Sequence, residues 1–280
     1  MKLAQKIAIN YFRARLNMLA VFSKKKAAIQ AFDIFCTPFR KNRKPLPPVF
    51  QAAEALSTVV GNVTIKGYRW NKGGVKRVLL LHGFESTVIN FERYVYALIE
   101  KNYEVIAFDA PAHGHSGGKR ITLPLYIDTI RTIYFEFGTI QSFMAHSFGG
   151  LALVHFLEKI PHDANTRLAL IAPATETTTA VDSFFRFLQL GADVRKEFDK
   201  LIVQKGGVAA DYFSIPRALK NITATLLWVH DKDDDVTPLA DVQPVIDSHY
   251  PNISFLITHG WGHRNIYRES KVVDAVVEFL

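Results

Sequence analysis

At 280 residues, 49 % hydrophobic and 21 % charged, the chain can bury a sizeable core and is excluded from the disordered class. Its formal charge of +8 is uneven: the first 44 residues hold 11 Lys or Arg and one Asp, so that segment carries +10 and the remainder −2. A single cysteine, Cys36, excludes an intramolecular disulfide framework and fits a reducing, cytoplasmic setting.

Residues 1–60 read as a basic, mostly helical arm, with Leu3, Ile7 and Tyr11 on one apolar spacing and Ile29, Phe32 and Phe35 on another. Arg13 and Arg15 interrupt the early apolar region, so no secretory leader is expected. The cluster Pro45-Leu46-Pro47-Pro48 separates the arm from the rest of the chain. A domain over residues 61–280 then opens with Val63 to Trp70, a Lys72-Gly73-Gly74 turn and Arg77 to Leu81. Further strands are predicted at Val105 to Phe108, Ile140 to Met144, Leu168 to Ile171, Thr225 to Val229 and Ile253 to Ile257. They alternate with helical stretches, which predicts an α/β fold with a mostly parallel, helix-flanked sheet.

Between Glu136 and Glu158 the chain carries no Lys, Arg, Asp or Glu. Gln141, Ser142, His146, Ser147 and a Gly-Gly pair within it suit a buried strand, turn and helix rather than a membrane span. About fifty residues, 174–222, have helical periodicity, with Phe184 and Leu188 on one face and Val194, Phe198, Leu201 and Ile202 on another. They are expected to form a small helical lid insertion. Thr237 and Pro238 read as the cap and first residue of a later helix.

Chemistry concentrates in Ala145-His146-Ser147-Phe148-Gly149-Gly150, between a predicted strand and a predicted helix. A serine between small residues at such a reversal projects its hydroxyl into a cleft, and the following helix aims its free N–H groups at a developing oxyanion. Ser147 is therefore a candidate nucleophile. A serine needs a histidine to take its proton and a carboxylate to orient that histidine, and on such a sheet both come after the serine in the chain. His230-Asp231-Lys232-Asp233-Asp234-Asp235 and Thr258-His259-Gly260-Trp261-Gly262-His263 each come directly after a predicted strand. His82 reads as a residue that holds its loop through backbone bonds, while Asp109, His113 and His115 could be read as a metal cluster, a reading set aside because the segment resembles a structural loop of the family named below. His259 is a less favoured second base. No phosphate loop or nucleic-acid motif is present.

Taken with Leu79 to Phe84 and Phe108 to Gly117, these motifs resemble the α/β-hydrolase superfamily over roughly Val63 to Leu280. Phe35-Cys36-Thr37-Pro38 and the segment Asp109 to Gly114 further resemble a bacterial, carboxylesterase-like branch of serine hydrolases. The resemblance implies Ser147 as nucleophile and His263 as general base and acid. It implies Asp234 as the triad acid, with Asp233 and Asp235 in reserve, and Asp231 where relatives carry glycine. The implied oxyanion hole is the backbone N–H of Phe84 and of Phe148, while Glu85, His146, Phe184 and Trp261 are candidates to line the pocket.

The activity so implied is cleavage of an ester or thioester of a small or medium acyl substrate through an acyl-enzyme, with no cofactor and no metal. The alternatives are a C–C bond hydrolase or lipase on the same residues, or a ligand-binding relative without catalysis. The expected partner is a small-molecule acyl substrate. For the basic arm two readings stand: peripheral contact with an anionic membrane, or, preferred, an apolar stripe docked on the rest of the chain.

Overall fold

The computed structural model describes residues 3–39 and 45–280, with side chains from residue 9 onward. The side chains of Leu3 and Ile7 and the basic run 40–44, which the arm reading invokes, lie outside the described residues. Helices α1 (Leu3–Phe22), α2 (Lys24–Phe35) and the short α3 (Pro48–Gln51) precede strands β1 (Glu54–Val60), β2 (Val63–Trp70) and β3 (Lys76–Leu81). Then come α4 (Glu92–Glu100), β4 (Tyr103–Phe108), α5 (Leu123–Glu136), β5 (Ser142–His146), α6 (Phe148–Leu157) and β6 (Arg167–Ile171). The chain continues through α7 (Thr177–Leu188), α8 (Ala192–Gly206), α9 (Ile215–Leu219), β7 (Thr225–Asp231) and α10 (Leu239–Asp247). It ends with β8 (Ile253–Thr258), α11 (Gly262–Asn265) and α12 (Ser270–Phe279).

One eight-stranded sheet has the order β1-β2-β4-β3-β5-β6-β7-β8. β1, β2 and β4 pair antiparallel, and every pairing from β4 to β8 is parallel. After β3 the chain steps to one side for β4 and returns to the other side for β5. That reversal opens a crevice at the carboxyl ends of β3 and β5, where such sheets hold their sites. Strands covered on both faces are mostly apolar, and every residue of β4 and β5 is buried, including Glu104 of β4 and Ser142 and His146 of β5. The uncharged stretch from Glu136 to Glu158 is thus β5, a turn and the buried helix α6. Among the described residues no helix is long and apolar enough to cross a membrane.

Two parts of the organisation differ from the sequence expectation. Residues 54–60, assigned to the helical arm, form β1, whose Leu56, Thr58 and Val60 alternate inward as befits an antiparallel edge strand. Gly61, at φ +59°, makes the two-residue turn into β2. The second difference is that the chain forms two compact units, one of residues 1–37 with 176–214 and one of residues 38–175 with 215–280. The arm and the insertion therefore share one core. In it Ala27, Ala28 and Ala31 of α2 are buried with Phe198, Leu201 and Ile202 of α8, and the ring of Phe32 lies 5.6 Å from that of Phe198. Small residues on α2 permit a close approach, and phenylalanines fill the space around it.

Within the sheet unit, Gly67 of β2 sits opposite Phe108 of β4, and a methyl group at Gly67 would strike the Phe108 ring. That ring is buried and packs 5.3 Å from Phe137, so it cannot yield freely. Gly67→Ala is expected to lower unfolding stability by about 2 kcal/mol, measured by denaturant titration; an unchanged midpoint would show that the strand pair absorbs the methyl group.

Candidate active site

Ser147 stands between β5 and α6 at φ +55° and ψ −124°, a conformation disfavoured for any residue with a side chain. Close neighbours hold it there. A methyl group at Gly149 would lie 2.7 Å from the His82 carbonyl oxygen, one at Gly150 2.8 Å from Pro173 Cβ, and one at Gly83 2.7 Å from Ser147 Cβ. The Ser147 N–H bonds the Ile171 carbonyl of the neighbouring strand at 3.1 Å, and its own carbonyl accepts from Ala174 N–H at 3.0 Å. The hydroxyl is thereby carried out at the carboxyl end of β5.

His263 and Asp234 come to that hydroxyl from the loops after β8 and β7. His263 Nε2 lies 3.0 Å from Ser147 Oγ, and its Nδ1 donates to Asp234 Oδ2 at 2.8 Å. Asp234 Oδ1 accepts the N–H groups of Val236 at 2.9 Å and Thr237 at 2.7 Å. The Thr237 hydroxyl donates to Oδ2 at 2.8 Å and lies 3.1 Å from His263 Nδ1. Burial pushes the Asp234 carboxyl up, but the His263 bond and charge and the Thr237 bonds outweigh it and hold the acid below its usual range. It stays ionised.

The sequence pattern predicts Thr237 as a helix cap. Instead α10 starts after Pro238, and Thr237 is spent on the carboxylate. His230 supports this arrangement by donating from Nε2 to the Thr237 carbonyl at 2.7 Å. The signal for this role in the chain is an Asp three residues before a Thr, a spacing that lets a side chain close its own turn.

The other aspartates have separate tasks. Asp231 Oδ2 accepts from the Thr258 hydroxyl at 2.6 Å and the Trp261 N–H at 3.2 Å, and Oδ1 from Asp233 N–H at 3.0 Å. Burial pushes its pKa up, yet these bonds and one from the Gly262 backbone outweigh burial and hold it below the usual range. Asp233 Oδ2 accepts the Gly260 N–H at 2.8 Å and pairs with exposed His259 at 2.8 Å. Both carboxylates tie the acid loop to the loop that carries His263.

On the other side of Ser147, His82 is fully buried, donating from Nδ1 to the Gly83 carbonyl at 2.8 Å and accepting Ala110 N–H on Nε2 at 2.9 Å. Burial pushes its pKa down to about 4. His113 Nε2 accepts the N–H of Glu85 at 3.0 Å, fixing a residue held at φ +55°. Buried Asp109 accepts the N–H groups of Val88 at 3.1 Å and His115 at 2.9 Å. These bonds shape the turn that presents Phe84. Among the described residues neither Phe84 N–H nor Phe148 N–H has a protein partner, and their rings lie 6.3 Å apart.

The candidate pocket residues fall in different places. His146 packs its ring 4.8 Å from that of His263 and donates from Nε2 to the His263 carbonyl at 3.1 Å. Burial, and next the positive charge that His263 can carry, push its pKa down to about 3. The Glu85 carboxylate accepts Phe39 N–H at 3.2 Å, and Trp261 is exposed. Phe184 belongs to the helical unit, where its ring packs 5.1 Å from Phe35 and 6.1 Å from Phe198 in that unit's core. No group of three or more His, Cys, Asp or Glu among the described residues is arranged to hold a metal.

A strained serine at a strand-to-helix turn, a mostly parallel sheet of this order and an imidazole between carboxylate and hydroxyl define the α/β-hydrolase class. Residues 75–214, half of the chain, match the family described as serine aminopeptidase, S33; the chain belongs to that family and to the α/β-hydrolase superfamily, and it is a hydrolase. Among solved structures, an esterase of Pyrococcus furiosus is 20 % identical with a TM-score of 0.65, over 88 % of this chain and 96 % of that one. A structure from work on carboxylesterases of the thaumarchaeon Nitrososphaera gargenis is 15 % identical with a TM-score of 0.61, over 81 % of this chain and 97 % of the other. The mouse alpha/beta hydrolase domain-containing protein 10 is 17 % identical with a TM-score of 0.59, over 81 % of this chain and 95 % of that one. No curated protein matches the chain by sequence. At these identities the structural likeness carries the fold alone.

The buried imidazoles make stability depend on pH. His82 and His146, at about 4 and about 3, stay neutral in the fold but gain protons near pH 6.5 when unfolded, and burial lowers His155 and His230 in the same direction. The unfolded state then binds more protons, so stability falls as pH drops from 6.5 toward 4. The melting temperature is expected to decline steadily from pH 7 to pH 5, and a flat profile would contradict the neutral assignment.

Proposed function

We propose that the protein is a serine hydrolase that cleaves an ester or thioester of a small or medium acyl substrate through an acyl-enzyme. The observation that supports this best is the unbroken set of bonds from Asp234 through His263 to Ser147, with Nε2 3.0 Å from Oγ. In this reading Ser147 Oγ attacks the carbonyl carbon while His263 Nε2 takes the hydroxyl proton. Asp234, ionised, stabilises the imidazolium and keeps Nε2 aimed at Oγ. The N–H groups of Phe84 and Phe148 receive the negative oxygen of the tetrahedral intermediate, their freedom from protein partners leaving them for that task.

Collapse of that intermediate breaks the bond to the alcohol or thiol, which leaves with the proton from His263. Water then attacks the acyl-enzyme with His263 again as base, and Ser147 is restored with release of the acid. His82, His113 and Asp109 serve as positioning residues for the Phe84 loop, and Asp231 and Asp233 for the His263 loop. We assign the enzyme to the cytoplasm on its single, buried cysteine.

Fluorophosphonate labelling tests the nucleophile, and a panel of esters, thioesters and aminoacyl anilides tests the acyl group and the leaving group. Label is expected on Ser147 and absent from Ser147→Ala, with esters or thioesters turned over faster than anilides. The reverse order of rates would assign an amide substrate to the same residues. Loss of kcat is expected to reach about 10⁶-fold for Ser147→Ala or His263→Ala and about 10⁴-fold for Asp234→Asn, because the three act as a unit. Asp233→Asn, whose carboxylate does not touch the imidazole, is expected to retain most activity. Full activity in Asp234→Asn with loss in Asp233→Asn would overturn the choice of acid.

Thr237→Val keeps the shape of the side chain and removes one hydrogen bond to Asp234. It is expected to lower kcat about tenfold with KM little changed, since the hydroxyl acts through the carboxylate. A change confined to KM would place Thr237 at the substrate instead.

A further inference from the structure

Helix α1 is apolar on the side where a surface helix should be polar. Its inner side is ordinary: Leu16 and Ala20 are buried, and Arg13 donates to the Phe187 carbonyl at 2.7 Å with its guanidinium 5.5 Å from the Phe187 ring. The outer side should carry charged and polar residues. Instead Tyr11, Met18 and Phe22 are 59 %, 64 % and 81 % exposed, at spacings of seven and four residues that place them in one stripe, with Val21 77 % exposed beside it. Arg15, exposed, lies within the same stripe.

Where α1 ends, Ser23 caps α2 by accepting the N–H of Lys26, and Lys24, Lys25 and Lys26 are all exposed. Among the described residues none of these three ammonium groups joins an ion pair. On α8, by contrast, Lys196 and Lys200 are matched to Asp193 and Glu197 three residues before them. Exposed cations outside any ion pair thus border exposed apolar side chains at the junction of α1 and α2, although Lys24 and Lys25 also line a groove with Asp193, Glu197 and Asp199 of α8.

We propose that this face is an interfacial anchor that seats the protein on an anionic lipid surface, with Met18, Val21 and Phe22 entering the headgroup boundary and Arg15 and Lys24 to Lys26 meeting lipid phosphates and carboxylates. The charge of the segment favours that occupant, since 11 Lys or Arg stand against one acidic residue in the first 44. A second copy of the chain would bring like charges together around the same stripe. Lipid instead supplies an apolar layer beneath a negative one, in the order in which this face offers apolar and basic groups. Arginine can reach from within such a stripe to the headgroups along its aliphatic stem. The anchor lies on the membrane, for no described helix is long and apolar enough to cross it.

Vesicle sedimentation of the full chain tests this with phosphatidylcholine alone and with phosphatidylcholine mixed with phosphatidylserine. Binding is expected on the mixed vesicles, falling about tenfold or more on phosphatidylcholine alone and weakening with added salt. Phe22→Ser is expected to reduce partitioning about tenfold, and the combined change Lys24→Gln, Lys25→Gln and Lys26→Gln to reduce the serine-lipid preference. An unchanged melting temperature checks that each variant is folded. Phe22→Trp gives an independent readout, a blue shift of its emission on mixed vesicles. Equal sedimentation of wild type and Phe22→Ser, no binding to mixed vesicles, or a dimer that Phe22→Ser dissociates would each overturn the proposal.

Discussion

The close approach of backbones around Ser147 is the constraint on which the rest of the site depends. The serine is reached from three sides: by the turn after β3 at Gly83, by the Leu81 and His82 carbonyls against Gly149, and by Pro173 against Gly150. Each contact is possible only because glycine stands there. A larger residue at any of them would push α6 away from β5, and with it the N–H of Phe148 and the direction of the Ser147 hydroxyl. The strained backbone of one residue is stabilised by the packing of its neighbours, and what it yields is a hydroxyl aimed away from the sheet.

The second constraint is that the acid and the imidazole reside on different loops. β7 and β8 run side by side with Asp231 opposite Thr258, so two loops leave adjacent strands together. Asp231 joins them at their base and Asp233 further out, while Asp234 turns inward to His263. Three carboxylates within four residues thus avoid competing for one partner. Each accepts from a different set of donors, and the side chain of Asp231 supplies acceptors for N–H groups of the facing loop.

Much of this is legible in the chain. The turn at Ser147 and the loops that carry Asp234 and His263 follow apolar runs in an order that the chain records, the choice of Asp234 among neighbouring aspartates rests on the family resemblance, and the parallel core strands are marked by hydrophobic runs. β1 is not legible because a short alternating strand at a sheet edge gains its identity from the partner it pairs with, here β2, and its neighbours are proline and basic helix. The common core of arm and insertion is equally hidden. Phe184 shows a helical stripe whether it faces a substrate or Phe35, and those two phenylalanines stand 149 positions apart in the chain. Thr237 misleads for a related reason, since a threonine before proline suits a helix start and a carboxylate equally well until the loop is folded.

Histidine illustrates how surroundings turn one residue type to several ends. His82, His146 and His230 all lie in the sheet unit near the same crevice, all are buried, and burial lowers the pKa of each. Each donates from one ring nitrogen to a backbone carbonyl, of Gly83, His263 and Thr237 respectively. Such bonds need only a neutral ring, and they fix its tautomer. His263 differs in what its two nitrogens face, a carboxylate on one side and a hydroxyl on the other. His263 thus links a carboxylate to a hydroxyl across two loops, whereas the rings of His82, His146 and His230 each link a side chain to backbone and hold the loops around the crevice in place.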